Sequence, residues 1–131
     1  MKTYEAMPEN LPRPIDDGAC NHLIGMKLPD INLIATDGSV VNLSKQERKT
    51  VVYCYPMTGK PGVPLPEGWD EIPGARGCTP QSCSFRDHHS ELSELGADVF
   101  GLSAQDTEYQ REMAERLHLP FLVLSDDNFK F

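Results

Sequence analysis

The sequence predicts an α/β fold in which parallel strands are joined by helical crossovers. Three short apolar runs, at 50–56, 98–104 and 121–125, have the composition of buried strands. Between them, apolar residues recur at helical spacing over 78–95 and 103–119. Strands that alternate with helices through short connections are typical of parallel sheets, which gives a predicted βαβαβ core.

A β-hairpin is predicted ahead of this core. In INLIATDGSVVNL, residues 31–43, two apolar runs flank Asp37 and Gly38, a pair that favours a tight turn between antiparallel strands. The prolines near the start of the chain predict that residues 1–24 form an extended arm. The remaining residues, 25–131, are enough for one compact domain.

The first core strand and the loop after it have distinct compositions. The run TVVYCYP, residues 50–56, is uninterrupted and ends in proline, so we expect a strand buried on both faces, with Cys54 in the core. Residues 57–77 are rich in proline and glycine and are predicted to form a long loop. A loop of this length in a compact domain is usually functional or mobile.

The first predicted helix begins at Cys78 and stops at Gly96. Pro80 fits its first turn, where a missing N–H costs little. We expect one of two adjacent histidines to pack in the buried stripe and the other to be solvated. The residues at helical spacing on that stripe are Cys78, Phe85, His88 or His89, Leu92 and Leu95.

The second predicted helix starts from a capping box at Ser103–Asp106. Tyr109, Met113 and Leu117 repeat every four residues and predict its buried face. The Glu, Arg and Gln residues of 105–117 are predicted to form its solvated face.

Charge and hydropathy narrow the classes of partner. The net charge of -8 argues against nucleic acid and anionic membrane surfaces, because both would repel the chain. No apolar run approaches the roughly 20 residues of a membrane-spanning helix, and the first residues have no signal-peptide core. We therefore expect a cytoplasmic protein whose partners are small molecules or other proteins.

Cys78 and Cys83 are the candidates for chemistry. A cysteine at a helix N-terminus lies among unpaired N–H groups that favour its thiolate, and Arg76 could add to this effect. In an intact helix, residues five apart have Cα atoms roughly 8 to 9 Å apart, and a disulfide requires less than about 7 Å. A bond between these cysteines would therefore require the first helical turn to unwind.

Two other interpretations of the same cysteines stay open. Both could be small buried hydrophobic residues, as free cysteines often are. They could also form a metal site with His88 and His89, although this spacing fits no usual zinc pattern. We predict no metal.

Four stretches are similar to a known family. GCTPQSCSFRD resembles the Gly-Cys-Thr-x-x-x-Cys and Phe-Arg-Asp block of peroxiredoxins of the PrxQ or bacterioferritin comigratory protein type, and VVYCYP resembles their strand ending in Tyr-Pro. LPDINLIATDGSVVNLS and VFGLSAQD resemble the opening hairpin and a later strand of that family. The resemblance covers about residues 25–128.

The resemblance implies a thioredoxin-like fold and the reduction of hydrogen peroxide or organic hydroperoxides. It makes Cys78 the peroxidatic cysteine and Cys83 the resolving cysteine, joined after oxidation by a disulfide within the chain. It implies a thioredoxin-like reductant, no cofactor, and a monomer or weak dimer. The family's active-site arginine would lie beyond Phe131, so we expect the C-terminal strands and helix to be lacking.

The resemblance also suggests substrate-binding residues. Where the family has Thr or Ser and Pro before the peroxidatic cysteine, this sequence has Ala75 and Glu71. The 57–77 loop resembles an insertion that splits this motif, so residues before the insertion would fold back to serve. The predicted substrate-binding residues are Pro56, Thr58, Arg76 and Gly77.

The sequence thus predicts a thiol peroxidase that uses two cysteines. One alternative is a thiol–disulfide oxidoreductase, although such enzymes normally use C-x-x-C and this chain has C-x4-C. Another is a redox-responsive binding module without turnover, in which oxidation unwinds the first helical turn.

Overall fold

A computed structural model describes residues 9–131, so the first eight residues of the predicted arm lie outside the described residues. Residues 9–24 are largely exposed and include turns in which Asp16 and Asp17 accept from the N–H groups of Gly18 and Ala19, at 2.9 Å each. A short 3-10 helix follows at Asn21–Leu23. The division of the chain at residue 24 stays a prediction.

Over residues 9–131 the structure has a five-stranded mixed sheet and three α-helices, which confirms the predicted α/β class. The sheet order is β2-β1-β5-β4-β3. The hairpin strands pair antiparallel, β1 pairs antiparallel with β5, and β3, β4 and β5 are parallel. In chain order the elements are β1 (Asn32–Ala35), β2 (Val40–Asn42), β3 (Lys49–Cys54), α1 (Cys78–Asp87), α2 (His89–Glu94), β4 (Ala97–Ser103), α3 (Thr107–Arg116) and β5 (Leu122–Ser125).

The predicted hairpin is confirmed. Its turn is closed by the N–H of Gly38, which donates to the carbonyl of Ala35, and by the N–H of Ala35, which donates to the carbonyl of Ser39, both at 2.9 Å. Gly38 has φ of 84°, a conformation that costs glycine little. The Asp37 carboxylate accepts from the N–H of Ser39 at 2.9 Å, which also fixes the turn.

Two apolar clusters lie on opposite faces of the sheet because neighbouring strand residues point in opposite directions. All three helices pack on the first cluster, the helix-side core, which comprises Tyr53, Tyr55, Cys83, Val99, Met113, Leu117, Phe121 and Val123. The second cluster comprises Leu33, Ala35, Leu43, Phe100, Leu102 and Leu124. The site described below belongs to the helix-side core.

The prediction that residues 50–56 are buried on both faces is wrong. In the part of the chain that the structure describes, β3 is an edge strand, and its two faces differ. Tyr53 points into the helix-side core, whereas Cys54 is exposed on the opposite face. Cys54 is therefore not a core residue, because none of the α-helices in residues 9–131 packs on that face.

The first predicted helix is two helices in the structure. The backbone leaves helical geometry at His88, where φ is -104°, and resumes at His89. This break rotates the later residues, so Leu95 is 74% exposed instead of buried. His89 is partly buried beside the Phe121 ring and His88 is exposed, as the prediction of one packed and one solvated histidine required.

The capping-box prediction for the second helix is also wrong. The N-cap is Asp106, whose carboxylate accepts from the N–H of Tyr109 at 2.8 Å, and Ser103 is instead the last residue of β4. Met113 and Leu117 are buried as predicted. Gln110, predicted to be solvated, is fully buried and donates to the Ser103 hydroxyl and the Leu124 carbonyl, both at 2.8 Å.

Among residues 9–131, every helix is too short or too polar to cross a lipid bilayer.

Candidate active site

Cys78 is the first residue of α1, at the end of the long loop. Gly77 precedes it as the N-cap and its carbonyl accepts the first helical hydrogen bond, from the N–H of Gln81 at 3.0 Å. Pro80 is buried in the first turn, where its missing N–H leaves no helical bond unmade. The local sequence thus places a thiol at the amide end of a helix.

Cys83 is one turn and a half further along α1 and is 3% exposed. It belongs to the helix-side core, and Cys78 is partly buried against the same cluster. Cys78 and Cys83 lie within one continuous helix and no disulfide joins them. The structure therefore brings both predicted cysteines to one region without joining them.

Burial raises the pKa of the Cys78 thiol above its ordinary value, and the backbone N–H groups of Met57 and of Cys78 itself oppose this rise. The sequence predicted a thiol whose helix position favours the thiolate. The amide groups act in that direction, but desolvation of the partly buried sulfur outweighs them. The ionisation of Cys78 therefore depends on a balance between burial and a few hydrogen-bond donors.

Two tyrosines line this region: Tyr53 in β3, and Tyr55 directly after the strand. The Tyr53 hydroxyl donates to the hydroxyl of Ser82 at 3.0 Å, and its ring stacks on Phe85 with centroids 4.6 Å apart. Burial raises the pKa of Tyr53 well above its ordinary value and raises that of Tyr55 to about 12. Each of these pKa values is raised further by the negative charge of an ionised Cys78, so the tyrosines and the sulfur lie close together.

Sequence reasoning missed Tyr53 and Ser82 as residues of this region. The alternation within β3 was the signal for Tyr53, because it places residues 53 and 55 on the face opposite Cys54. Gly101 is the partner of Tyr53 on β4, and a Cβ there would lie 2.9 Å from the tyrosine hydroxyl. The glycine thus leaves room for the ring that carries this hydroxyl.

The other predicted site residues differ in how far they are exposed to solvent. Pro56 is exposed, whereas Thr58 is only 1% exposed and is held by Gln105. Arg76 adopts φ of 66° two residues before Cys78, and its guanidinium forms a two-point ion pair with Asp70, one contact being 2.7 Å. Their roles in binding a substrate stay predictions.

The start of the long loop is fixed by Gln105, whose side-chain oxygen accepts from the N–H of Thr58 at 3.1 Å. At the far end of the loop, the Asp70 to Arg76 pair joins a 3-10 turn at Trp69–Glu71 to the residues before Cys78. Within residues 9–131, no three His, Cys, Asp or Glu side chains come together as metal ligands would.

Comparison with known proteins agrees with this geometry. The family model described as Redoxin matches residues 23–131. Peroxiredoxin Q of rice, Oryza sativa subsp. japonica, named as chloroplastic, is 37% identical over 107 residues, which are 81% of this chain and 42% of the rice protein. Peroxiredoxin Bcp of Bacillus subtilis is 36% identical over 108 residues, 82% of this chain and 59% of that protein.

Solved structures agree with the thioredoxin-like fold. Peroxidoxin BcpB of Mycobacterium tuberculosis superposes with a TM-score of 0.64 at 26% identity, over 81% of this chain and 60% of its own. Peroxiredoxin Q of Xanthomonas campestris superposes with a TM-score of 0.62 at 20% identity, over 77% and 55% of the two chains. The chain spans about 42% to 59% of the length of the rice and Bacillus relatives. With the matched family model, these likenesses place the chain in the redoxin family, among the peroxiredoxins of the Q and Bcp type.

Proposed function

We propose that this protein is a thiol peroxidase that reduces hydrogen peroxide or organic hydroperoxides with Cys78. The observation that carries the proposal is the position of Cys78 at the first residue of α1, partly buried against a cluster that also contains Cys83. The names of its relatives support the same activity. The activity of the whole protein is a proposal because the chain spans only part of those relatives.

In the first step, the Cys78 thiolate attacks one peroxide oxygen. The O–O bond breaks, the alcohol or water leaves with a proton, and Cys78 becomes a sulfenic acid. In the second step, the Cys83 sulfur attacks the Cys78 sulfur, an S–S bond forms and water leaves. A dithiol reductant of the thioredoxin type then restores both thiols and is itself oxidised to a disulfide.

The second step requires a local change of structure. Both cysteines lie in the intact helix α1, in which residues five apart have Cα atoms roughly 8 to 9 Å apart. The first turn of α1 must therefore loosen before the two sulfurs can bond. That turn begins with the hydrogen bond from the N–H of Gln81 to the carbonyl of Gly77, at 3.0 Å, and loosening the turn breaks this bond.

Turnover distinguishes this proposal from the alternatives. Reduced protein, a thioredoxin, its reductase and NADPH are mixed with excess peroxide, and peroxide loss is followed. We expect many equivalents to be consumed, Cys78→Ser to consume none, and Cys83→Ser to stop after about one. Cys54→Ser, which alters an exposed thiol outside the site, is the matched control and should behave as the unmodified chain does.

Two results would contradict the proposal. If a single equivalent were consumed by the unmodified chain, the protein would be a redox-responsive module without turnover. If protein disulfides were reduced rapidly and peroxide were not, it would be a thiol–disulfide oxidoreductase. The cytoplasmic location and the monomeric or weakly dimeric state stay predictions, to be tested by fractionation and by sedimentation.

A further inference from the structure

Ser82 lies between the two cysteines and is held by a buried tyrosine. It directly precedes Cys83 in α1 and is 0% exposed. Its hydroxyl accepts a hydrogen bond of 3.0 Å from the hydroxyl of Tyr53, which is also buried. Because both side chains are shielded from solvent, water does not compete with this bond, and breaking it leaves a buried hydroxyl without its partner.

The hydroxyl of Tyr53 is fixed in place and cannot follow Ser82 if the helix moves. The tyrosine ring stacks on Phe85 with centroids 4.6 Å apart and meets Phe121 edge-on at 5.9 Å. A Cβ at Gly101 of β4 would lie 2.9 Å from the tyrosine hydroxyl, so the strand backbone packs closely against it. Tyr53 itself belongs to β3, every residue of which pairs with β4. The contact therefore exists only while Ser82 keeps its place in α1.

A disulfide between Cys78 and Cys83 would displace Ser82. In an intact helix, residues five apart project about 140° apart around the axis. Cys83 is 3% exposed and lies in the helix-side core, so its sulfur can reach Cys78 only if Cys83 turns out of that core. This change rotates the backbone between the two cysteines, and Ser82 is the residue next to Cys83. The Ser82 hydroxyl then leaves the position at which Tyr53 binds it.

We propose that Tyr53 is a positioning residue that stabilises the dithiol form of α1 through Ser82, and that forming the Cys78 to Cys83 disulfide breaks this hydrogen bond. Since only the dithiol form has the contact, the contact shifts the redox equilibrium of the pair toward the reduced protein. The inference rests on the cysteine pair of the proposed function, but it does not depend on peroxide as the oxidant.

The test titrates the cysteine pair in mixtures of reduced and oxidised dithiothreitol. When the two thiols form their disulfide, two electrons and two protons pass to oxidised dithiothreitol, which becomes the dithiol. Free thiols are trapped with iodoacetamide, and the peptide that contains both cysteines is analysed by mass spectrometry. The quantity compared is the ratio of reduced to oxidised dithiothreitol at which half of the pair is reduced.

Ser82→Ala removes the acceptor of the hydrogen bond. The Tyr53 hydroxyl then lacks this partner in both redox states, so oxidation no longer costs the contact. We expect the ratio at half-reduction to rise roughly tenfold, because the disulfide becomes easier to form and harder to reduce. Tyr53→Phe removes the donor and should raise the ratio as well. The double variant should exceed neither single variant by much, since all three lose the same contact.

Ser84→Ala is the matched control. Ser84 is the exposed serine on the other side of Cys83 in α1, so its substitution makes the same gain in helix propensity without loss of the buried contact. Its ratio at half-reduction should not exceed that of the unmodified protein. A Ser82→Ala ratio no higher than that of Ser84→Ala would overturn the proposal.

A second measurement needs no variant, because hydrogen exchange can be compared between the reduced and oxidised forms of the unmodified protein. The Ser82 amide should exchange about tenfold faster, or more, in the oxidised form. The amide of Met113, buried in α3, should exchange alike in both. Equal exchange of Ser82 in the two forms would overturn the proposal even if Ser82→Ala does not fold. A chain that forms the disulfide in dithiothreitol but reduces no peroxide would contradict the proposed function alone.

Discussion

At the scale of single residues, the ionisation of Cys78 is the central quantity. Its side chain is partly buried against the helix-side core, and this burial favours the neutral thiol. The N–H groups of Met57 and Cys78 favour the thiolate, but less strongly. Since only the thiolate attacks peroxide or alkylating agents, reactivity must increase with pH until Cys78 is ionised.

This balance between burial and hydrogen bonding predicts how the reactivity of Cys78 depends on pH. Because its pKa is raised in the folded state, we expect its alkylation midpoint to lie above that of the same residue in the urea-unfolded chain. The neutral thiol also contributes to the stability of the fold at pH values below the pKa that Cys78 has in the unfolded chain. This contribution is lost as the pH rises through the pKa that Cys78 has in the folded protein. A folded midpoint below the unfolded one would show that the amide donors outweigh burial.

The close packing of Gly101 against Tyr53 leads to a second prediction, which concerns stability. An alanine Cβ there would lie 2.9 Å from the Tyr53 hydroxyl, closer than packed atoms approach. We expect Gly101→Ala to lower the free energy of unfolding by about 1 to 3 kcal/mol, measured by urea denaturation. Tyr53→Phe in the same chain should recover part of this loss because it removes the nearest oxygen. An unchanged midpoint in Gly101→Ala would contradict the packing described.

At the scale of elements, α1 is attached to its neighbours by specific polar contacts. Tyr53 of β3 donates to Ser82 in the middle of α1, at 3.0 Å, and both residues are buried. Arg86 near the end of α1 donates to the carbonyl of Leu117 after α3, at 2.9 Å. These contacts hold the second half of α1, while its first turn must loosen for the proposed disulfide.

The contact between Tyr53 and Ser82 predicts a coupled effect on stability. Ser82→Ala leaves the buried tyrosine hydroxyl without its partner, and we expect a loss of about 1 to 3 kcal/mol in urea denaturation. Tyr53→Phe should also destabilise the fold, but the double variant should lose less than the sum of the two losses. Ser90→Ala, an exposed serine of α2, is the control and should change little. Strictly additive losses would show that the two hydroxyls do not interact.

At the scale of the whole molecule, the sequence predicts the strand and helix order because hydrophobic periodicity and turn residues are local signals. It does not predict the sheet order, so the edge position of β3 and the exposure of Cys54 were missed. The break at His88 follows no proline or glycine, and nothing local marks it. Gln105 was assigned to a solvated face because its partner, Thr58, is 47 residues away.

The candidate site could be predicted only where its residues are close in the chain. Cys78, Cys83 and the helix start share one short motif, whereas Tyr53 of β3 reaches Ser82 of α1 across the long loop. Sequence alone identified the two cysteines, but it did not identify the tyrosine hydroxyl that donates to Ser82 between them. Contacts between distant segments depend on packing of the complete sheet, which periodicity does not encode.

Oxidation by peroxide tests most directly whether Cys78 and Cys83 are the redox pair of a peroxidase. We would add one equivalent of hydrogen peroxide to the reduced protein and map its peptides by mass spectrometry without reductant. We expect rapid formation of a Cys78 to Cys83 disulfide that is absent in Cys78→Ser, with Cys20 and Cys54 still free thiols. This result would support the two-cysteine mechanism. A Cys78 that stays a free thiol under these conditions would contradict it.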